Sequence, residues 1–157
     1  AEPAWDRRLA CSTMANCPRF LILTNWDSAA VLDKETGLVW EQSPQTTLAT
    51  WSNARFACAA KIVGNRKGWR LPAIPELASL IDVITTFPAP KLPPGHPFVT
   101  VIAQDYWSAT EDKDDSNEAN PLDAWFASFG SGGAFIAPKG NDGHVWCVRG
   151  GNNADQY

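Results

Sequence analysis

Four cysteines constrain the fold of this chain more than any other feature of its sequence. Cys11 and Cys17 lie close together near the start, whereas Cys58 falls in a predicted helix and Cys147 in the last predicted strand. An even count in a small, loop-rich domain fits two disulfides, with three connectivities open. Proximity favours Cys11–Cys17 and leaves Cys58–Cys147; four reduced thiols are the alternative, and a zinc site is disfavoured because no Cys-x-x-Cys pair occurs. We therefore expect an oxidising compartment: the periplasm, the cell surface or the outside of the cell.

Length and composition narrow the protein class. A chain of 157 residues suits one domain, and 45% hydrophobic with 19% charged residues is typical of a globular fold. The net charge of −4 argues against a nucleic-acid-binding surface. No apolar run approaches the roughly 20 residues of a membrane-spanning helix, so we expect no membrane insertion. The first residues contain no apolar run typical of a signal peptide.

Two amphipathic segments predict helices. The first begins near Thr50, a suitable N-cap, and ends at Gly64. Its buried face is marked by residues at helical spacing: Trp51, Ala54, Cys58 and Ile62. The second has Pro75 in its first turn. Its apolar stripe consists of Leu77, Leu80, Ile81 and Ile84.

Short apolar runs predict antiparallel strands before and after the helices. The first strands cover residues 20–23, 30–33 and 38–40, the last two forming a hairpin around a Gly-containing turn. A strand at 106–110 follows a proline-rich segment, 85–104, which we expect to be a long excursion over the surface. Residues 124–129, 134–137 and 145–149 predict a three-stranded meander. Together the elements predict an α+β fold.

Several motifs, in order over roughly residues 30–150, resemble those of the DUF1566 family, also called the Lcl C-terminal domain family. They are Asp33–Trp40 (D-K-E-T-G-L-V-W), Trp51–Ala54 with Cys58, Gly68–Pro72 (G-W-R-L-P) with Glu76-Leu77, Tyr106–Thr110 (Y-W-S-A-T), Ala124–Gly130 and Cys147–Arg149.

The resemblance implies a C-type-lectin-like fold with two helices, antiparallel sheets and long surface loops. It also implies that the terminal strands pair, that a disulfide joins the first helix to the last strand, as in Cys58–Cys147, and that the loops present the ligand site. Residues 1–29 then form an N-terminal extension holding the Cys11–Cys17 bridge, and residues 151–157 form a flexible tail.

The acidic stretch at 111–118 is the most site-like segment. Calcium prefers clustered oxygen ligands, and this stretch offers Asp112, Asp114, Asp115, Asn117 and Glu118. The alternative is a solvated acidic loop. The motifs of calcium-dependent sugar-binding lectins are absent. The acidic stretch nevertheless makes calcium the one cofactor that the sequence suggests, as a hypothesis.

Tryptophans on predicted strands offer an apolar platform for a sugar ring or a protein partner. We expect Trp107, Trp125 and Trp146 to lie close together, with Trp107 and Trp125 contributing to ligand binding; core packing is the alternative for each. Three other tryptophans are part of the structural signature of the family, and we expect them in the core: Trp40, Trp51 and Trp69. Arg70 is expected to make a buried, charge-assisted hydrogen bond.

Catalytic motifs are absent from the sequence. No nucleophile elbow, phosphate-binding loop or His-Glu-x-x-His motif occurs, and the chain's two histidines, His96 and His144, have no motif around them. We therefore predict a secreted, cell-surface or periplasmic binding module, not an enzyme, that recognises a glycan or an extracellular protein. A structural or accessory subunit of an extracellular filament or envelope complex is the alternative. A hydrolase built on Ser128, Ser131 and His144 is the least favoured function.

Overall fold

The computed structural model of the chain describes residues 19–85, 90–112 and 122–150. Two helices and two antiparallel sheets confirm the predicted α+β class, while the more specific C-type-lectin-like assignment stays a prediction. The elements are β1 (Phe20–Ile22), a 3-10 turn (Thr24–Trp26), β2 (Ala30–Asp33), β3 (Leu38–Glu41), α1 (Trp51–Ala60), α2 (Ile74–Leu80), β4 (Asp105–Glu111), β5 (Asp123–Ser128), β6 (Ala134–Pro138) and β7 (Val148–Arg149). No helix in this part of the chain is long and apolar enough to cross a membrane.

The first sheet has the strand order β1-β2-β3-β7. The predicted hairpin of β2 and β3 is confirmed, and Gly37 takes the positive φ of +78° that its turn requires. Strand β1, which lies in the residues assigned to the N-terminal extension, pairs with β2. Beside it, the buried Arg19 guanidinium donates two hydrogen bonds of 2.9 Å to the Asp33 carboxylate and one to the Ser79 carbonyl, which ties this sheet to α2.

The second sheet has the order β4-β5-β6, so the predicted meander of the last three strands is wrong in its final strand. Strand β7 leaves this sheet and pairs with β3, where Trp40 lies opposite Val148. This pairing completes a buried layer, because Trp146, Cys147 and Val148 are all fully buried. Alternating apolar and polar residues predict that a segment is a strand, but they do not identify the strand with which it pairs.

Both helices form where predicted but end earlier. Helix α1 follows Thr50 and ends at Ala60, so Ile62 lies outside it and is 61% exposed. Helix α2 ends at Leu80, and Ile84 is 82% exposed. The two isoleucines were therefore wrongly assigned to buried faces, because helical spacing in the sequence does not show where tertiary contacts end a helix.

The predicted disulfide between Cys58 and Cys147 is confirmed and joins α1 to the segment that leads into β7. Both cysteines are fully buried, with Cα atoms 5.4 Å apart. Next to the bridge, the Glu41 carboxylate accepts the Cys147 N–H at 2.8 Å and the Lys61 ammonium at 2.7 Å. The predicted Cys11–Cys17 pair lies outside the described residues.

The proline-rich segment is attached to the core, which corrects the expected surface excursion. In its described part, residues 85 and 90–104, Leu92 and Phe98 are buried. The Phe98 ring packs edge-on against Phe20 and Trp146, with centroids 5.1 and 4.9 Å away. Prolines exclude regular helix here, but they do not prevent the segment from inserting apolar side chains between the two sheets.

Candidate functional site

Most of the predicted acidic site lies outside the described residues, namely Asp114, Asp115, Asn117 and Glu118. Asp112 is described at the end of β4, where it is half-buried and its backbone N–H donates to the Asp123 carbonyl at 3.0 Å. Among the described residues, no three His, Cys, Asp or Glu side chains are grouped so that they could hold a metal ion. The calcium site therefore stays a prediction.

The expected tryptophan platform is not one surface. Trp107 lies opposite Phe126 in the register of β4 and β5, so Trp107 and Trp125 occupy opposite faces of the sheet. Trp107 is only 2% exposed, and its indole N–H donates to the Ala49 carbonyl at 3.0 Å. Trp125 is half-buried. Trp146 is fully buried in a separate part of the core, so the three rings do not meet.

The family-motif residues have the structural roles predicted for them. Trp40, Trp51 and Trp69 are all buried, as expected for core residues. Arg70 donates two hydrogen bonds of 2.7 Å to the Glu76 carboxylate, which also accepts the Ala73 N–H at the start of α2. This arrangement confirms the predicted charge-assisted hydrogen bond, although both side chains are half-buried and not fully buried as expected.

An aromatic row crosses the second sheet on the Trp107 face. Trp107 and Phe126 pack with ring centroids 6.3 Å apart, and Phe126 and Phe135 with centroids 5.7 Å apart. Exposure rises along the row, from buried Trp107 through half-buried Phe126 to Phe135, which is 49% exposed. The sequence analysis missed both phenylalanines. Their alternating positions in predicted strands were the available signal, but their shared face depends on the pairing register.

A small cavity opens at the buried end of this row, with a volume of about 130 Å³. We call it the aromatic pocket; it is lined by Asp105, Trp107, Phe126, Ala137, Asn141, Asp142 and Gly143. The three polar members are exposed at its rim. A Cβ at position 143 would lie 2.8 Å from the Trp107 indole nitrogen, so glycine is needed there for the tryptophan to pack.

The chemistry of the aromatic pocket suits an uncharged, hydroxyl-bearing ligand. Aromatic faces pack against the apolar C–H surface of such a ligand. The carboxylates of Asp105 and Asp142 accept hydrogen bonds from hydroxyls, and the Asn141 amide both donates and accepts. A strongly anionic ligand would be repelled by the two carboxylates.

A larger hollow of about 370 Å³ lies between α1 and the connector that follows it. Its charged lining residues are Arg55 and Arg70, and Arg70 is engaged with Glu76 and with the Gly150 carbonyl at 2.8 Å. The remaining lining is largely apolar, including Trp69 and Leu71. We favour the aromatic pocket over this hollow because its three exposed polar groups lie together beside two aromatic rings.

Both histidines lie in the described part of the chain, where each contacts an aromatic residue or its backbone. His96 accepts the Phe98 N–H through Nδ1 at 3.2 Å, and burial lowers the pKa of its imidazole. His144 packs on Tyr106 with centroids 5.2 Å apart; burial lowers its pKa, while Asp105 acts in the opposite direction.

Ser128 and Ser131, the serines of the hydrolase hypothesis, make hydrogen bonds within their own turn. The Ser128 hydroxyl accepts the Ser131 N–H at 3.2 Å, and the Ser131 hydroxyl accepts the Gly133 N–H at 3.3 Å. In the described residues neither hydroxyl bonds to His144. These contacts do not favour a Ser–His pair, and the absence of enzymatic activity stays a prediction.

Comparison with protein families supports the resemblance seen in the sequence. The model of the Lcl C-terminal domain matches residues 29–149, which is most of the chain. The chain belongs to the Lcl C-terminal domain family. No curated protein sequence matches it. In this Lcl C-terminal domain, the matched region spans α1, α2, the disulfide between Cys58 and Cys147, and both faces of the second sheet.

Proposed function

We propose that this Lcl C-terminal domain is a non-enzymatic recognition module that binds a neutral glycan in the aromatic pocket. The observation that carries the proposal is that two carboxylates and one amide line the pocket together with Trp107 and Phe126, the inner members of an aromatic row that ends at the exposed Phe135. Sugar rings offer an apolar face to the aromatic side chains and hydroxyls to the polar groups. The disulfide supports action in an oxidising compartment such as the periplasm or the extracellular space.

A glycan array probed with the purified domain tests this proposal. We expect binding to at least one neutral oligosaccharide. Asn141→Ala should weaken it about tenfold, because this substitution removes a hydrogen-bonding group that lines the pocket. Phe135→Ala should weaken it as well, because it removes the exposed ring at the end of the aromatic row. Asn53→Ala, a matched change on the exposed side of α1, should leave binding unchanged. Equal binding by all three variants would place the glycan elsewhere, and a silent array would remove the proposal.

Calcium is a separate part of the proposal and rests on the acidic stretch of the sequence. Calorimetric titration with calcium should show millimolar or tighter binding if Asp112, Asp114, Asp115 and Glu118 form a site, since extracellular calcium modules bind in that range. Repeating the array with a chelator separates two cases. Loss of glycan binding would link the metal to recognition, whereas a flat titration leaves only a solvated acidic loop.

The second candidate function is an accessory subunit, and the exposed strand β6 favours it. Four of its five residues are exposed, among them Phe135 and Ile136. The bonds from the Ser128 N–H to the Gly133 carbonyl and from the Lys139 N–H to the Leu122 carbonyl fix the alternation of the strand. Its free N–H groups therefore belong to Ala134 and Ile136, and they point away from β5.

Such an edge can accept an incoming strand of a protein partner. Pro138 has no N–H and limits the pairing to the first part of β6. We expect Ile136→Pro to abolish co-purification of a protein partner while leaving glycan binding intact, because position 136 does not line the aromatic pocket. Glycan binding with no co-purifying protein would favour the first candidate.

A further inference from the structure

Basic residues are unevenly distributed along this acidic chain. Residues 42–75 contain five of the 13 Lys and Arg residues and none of the 17 Asp and Glu residues. Within that stretch, Lys61 and Arg70 are neutralised by ion pairs with Glu41 and Glu76. The others, Arg55, Arg66 and Lys67, form no ion pair in the described part of the chain.

Two of these cations, Arg66 and Lys67, lie at the end of a tight turn. Val63 and Arg66 exchange backbone hydrogen bonds of 3.2 and 3.1 Å around Gly64 and Asn65, which have φ angles of +59° and +60°. Both positive φ values are typical of a type I′ turn. Lys67, directly after the turn, is exposed. Ile62, directly before it, presents a 61% exposed apolar side chain.

The turn packs against Trp26, which lies beside two guanidinium groups. The Arg66 guanidinium carbon is 4.3 Å from the ring centroid, and that of Arg149 is 5.4 Å from it. A Cβ at position 64 would lie 2.6 Å from the Trp26 Cβ, so the turn approaches the tryptophan as closely as glycine permits. The Arg149 side chain also donates to the Lys67 backbone carbonyl at 2.7 Å, so Lys67 lies next to the two arginines.

We define these five residues as the basic face: Trp26, Ile62, Arg66, Lys67 and Arg149. Its three cations form no ion pair with a described residue, and the nearest carboxylate in sequence is Asp27, directly after Trp26. An excess of positive charge in a protein of net charge −4 favours an anionic partner.

We propose that the basic face docks the domain on a membrane surface that contains anionic lipids. Two observations favour a lipid surface over a soluble anionic chain. Ile62, close to the cations in sequence, is exposed and can enter the acyl boundary, whereas a soluble polyanion with no apolar surface would leave it exposed. Trp26 is half-buried between arginines, and a tryptophan ring is suited to the level of the lipid headgroups. The docking is peripheral and needs no membrane-spanning helix.

Vesicle co-sedimentation tests the proposal. We use phosphatidylcholine vesicles with and without phosphatidylglycerol, and soluble poly-glutamate as a competing anion. The wild-type domain should bind only the vesicles with phosphatidylglycerol, and added salt should weaken the binding. Lys67→Gln should reduce affinity about fivefold, since one cation near a lipid surface contributes about that much. Ile62→Ser should reduce binding to the vesicles several-fold and leave any binding to poly-glutamate unchanged.

The matched control is Lys34→Gln, which removes one exposed cation from the turn at the opposite end of β2. It should bind vesicles like the wild type. Circular dichroism of each variant checks folding, and Lys67 and Ile62 were chosen because their side chains are exposed. Absence of binding to anionic vesicles overturns the proposal. Binding that Ile62→Ser leaves unchanged, together with equal binding to poly-glutamate, overturns it in favour of an acidic protein partner. Either result leaves glycan recognition by the aromatic pocket untouched.

Discussion

The two sheets of this domain differ in how their edges are protected. In the first sheet, the outer edge of β7 is continued by Arg70, whose backbone exchanges hydrogen bonds of 2.8 and 2.9 Å with Val148. In the second, the His144 carbonyl accepts the Trp107 backbone N–H at 3.0 Å and so covers part of the edge of β4, but β6 presents a largely exposed edge. The first sheet is therefore covered at β7, whereas the second presents an open edge at β6.

Cross-links are also concentrated on the first sheet. The disulfide, the Glu41–Lys61 ion pair and the buried Arg19–Asp33 pair all hold its strands or attach them to a helix. On the second sheet, the described ion pair is between Lys139 and Glu111 and is partly exposed, so it contributes little to stability. The comparison teaches that the links that stabilise this fold are concentrated on the first sheet, whereas the aromatic pocket lies on the second.

The largest expected effect comes from removing the link between α1 and the first sheet. Replacing Cys58 and Cys147 together by Ala should lower the free energy of unfolding by about 4–5 kcal/mol, because the bridge closes a loop of 89 residues in the unfolded chain. Urea unfolding followed by tryptophan fluorescence measures the change. Ser52→Ala, on the exposed side of the same helix, should change it by less than about 0.5 kcal/mol. A double variant as stable as the control would show that the first sheet does not depend on this link.

A smaller effect should appear as opposite pH dependences at two glutamates. At Glu41, burial raises the carboxyl pKa above 4.5 despite the hydrogen bond from Lys61. Its contribution to stability is therefore present below that pH and is lost as the pH rises through the raised pKa. At Glu76, burial by itself would raise the carboxyl pKa, but the hydrogen bonds from Arg70 and the Ala73 N–H lower that pKa overall. Its contribution is present above pH 4.5 and is lost as the pH falls through the lowered pKa.

Urea unfolding on both sides of pH 4.5 separates the two glutamates. Glu41→Gln should remove a decrease in stability on the alkaline side, whereas Glu76→Gln should remove a decrease on the acid side. Parallel profiles for wild type and both variants would contradict the pKa directions. The two substitutions serve as each other's control, since each exchanges a carboxylate for an isosteric amide.

The smallest expected effect is on the exposed strand. Phe135→Ala should change the free energy of unfolding by less than about 1 kcal/mol, because its ring is 49% exposed at the end of the aromatic row. Trp40→Ala, in the buried β3, should lower it by about 3–5 kcal/mol. Chemical denaturation of the two variants measures both. Similar losses would mean that the second sheet is part of the stabilising core and would remove the distinction between the sheets.

Local features of the sequence were sufficient for the hairpin and for the starts of the helices. The β2–β3 turn depends on Gly37, and α1 begins directly after Thr50 as predicted, although the Thr50 side chain makes no capping hydrogen bond. The ends of the helices were misjudged. Lys61 leaves the helix with extended backbone angles and bonds to Glu41, a contact between residues far apart in the chain.

The candidate site was predicted only in part. Trp107 was selected for its residue type, and it does line the aromatic pocket, although almost entirely from the inside. Phe135 and Asn141 were missed because they lie far along the chain from Trp107 and meet its neighbourhood only through the pairing of β5 with β6.

The sequence by itself determined the family, the α+β class and the buried tryptophans of the motifs, because each depends on residue type and short spacing. It favoured the Cys58–Cys147 pairing through the proximity of the other two cysteines and the resemblance to the family. Only the tertiary structure decided that β7 joins the first sheet, that Trp107 and Trp125 face opposite ways, and that Arg149 meets Arg66 beside Trp26. The physical reason is that alternation along a strand defines two faces, while the choice of which face is buried and what lies opposite it depends on partners distant in the chain.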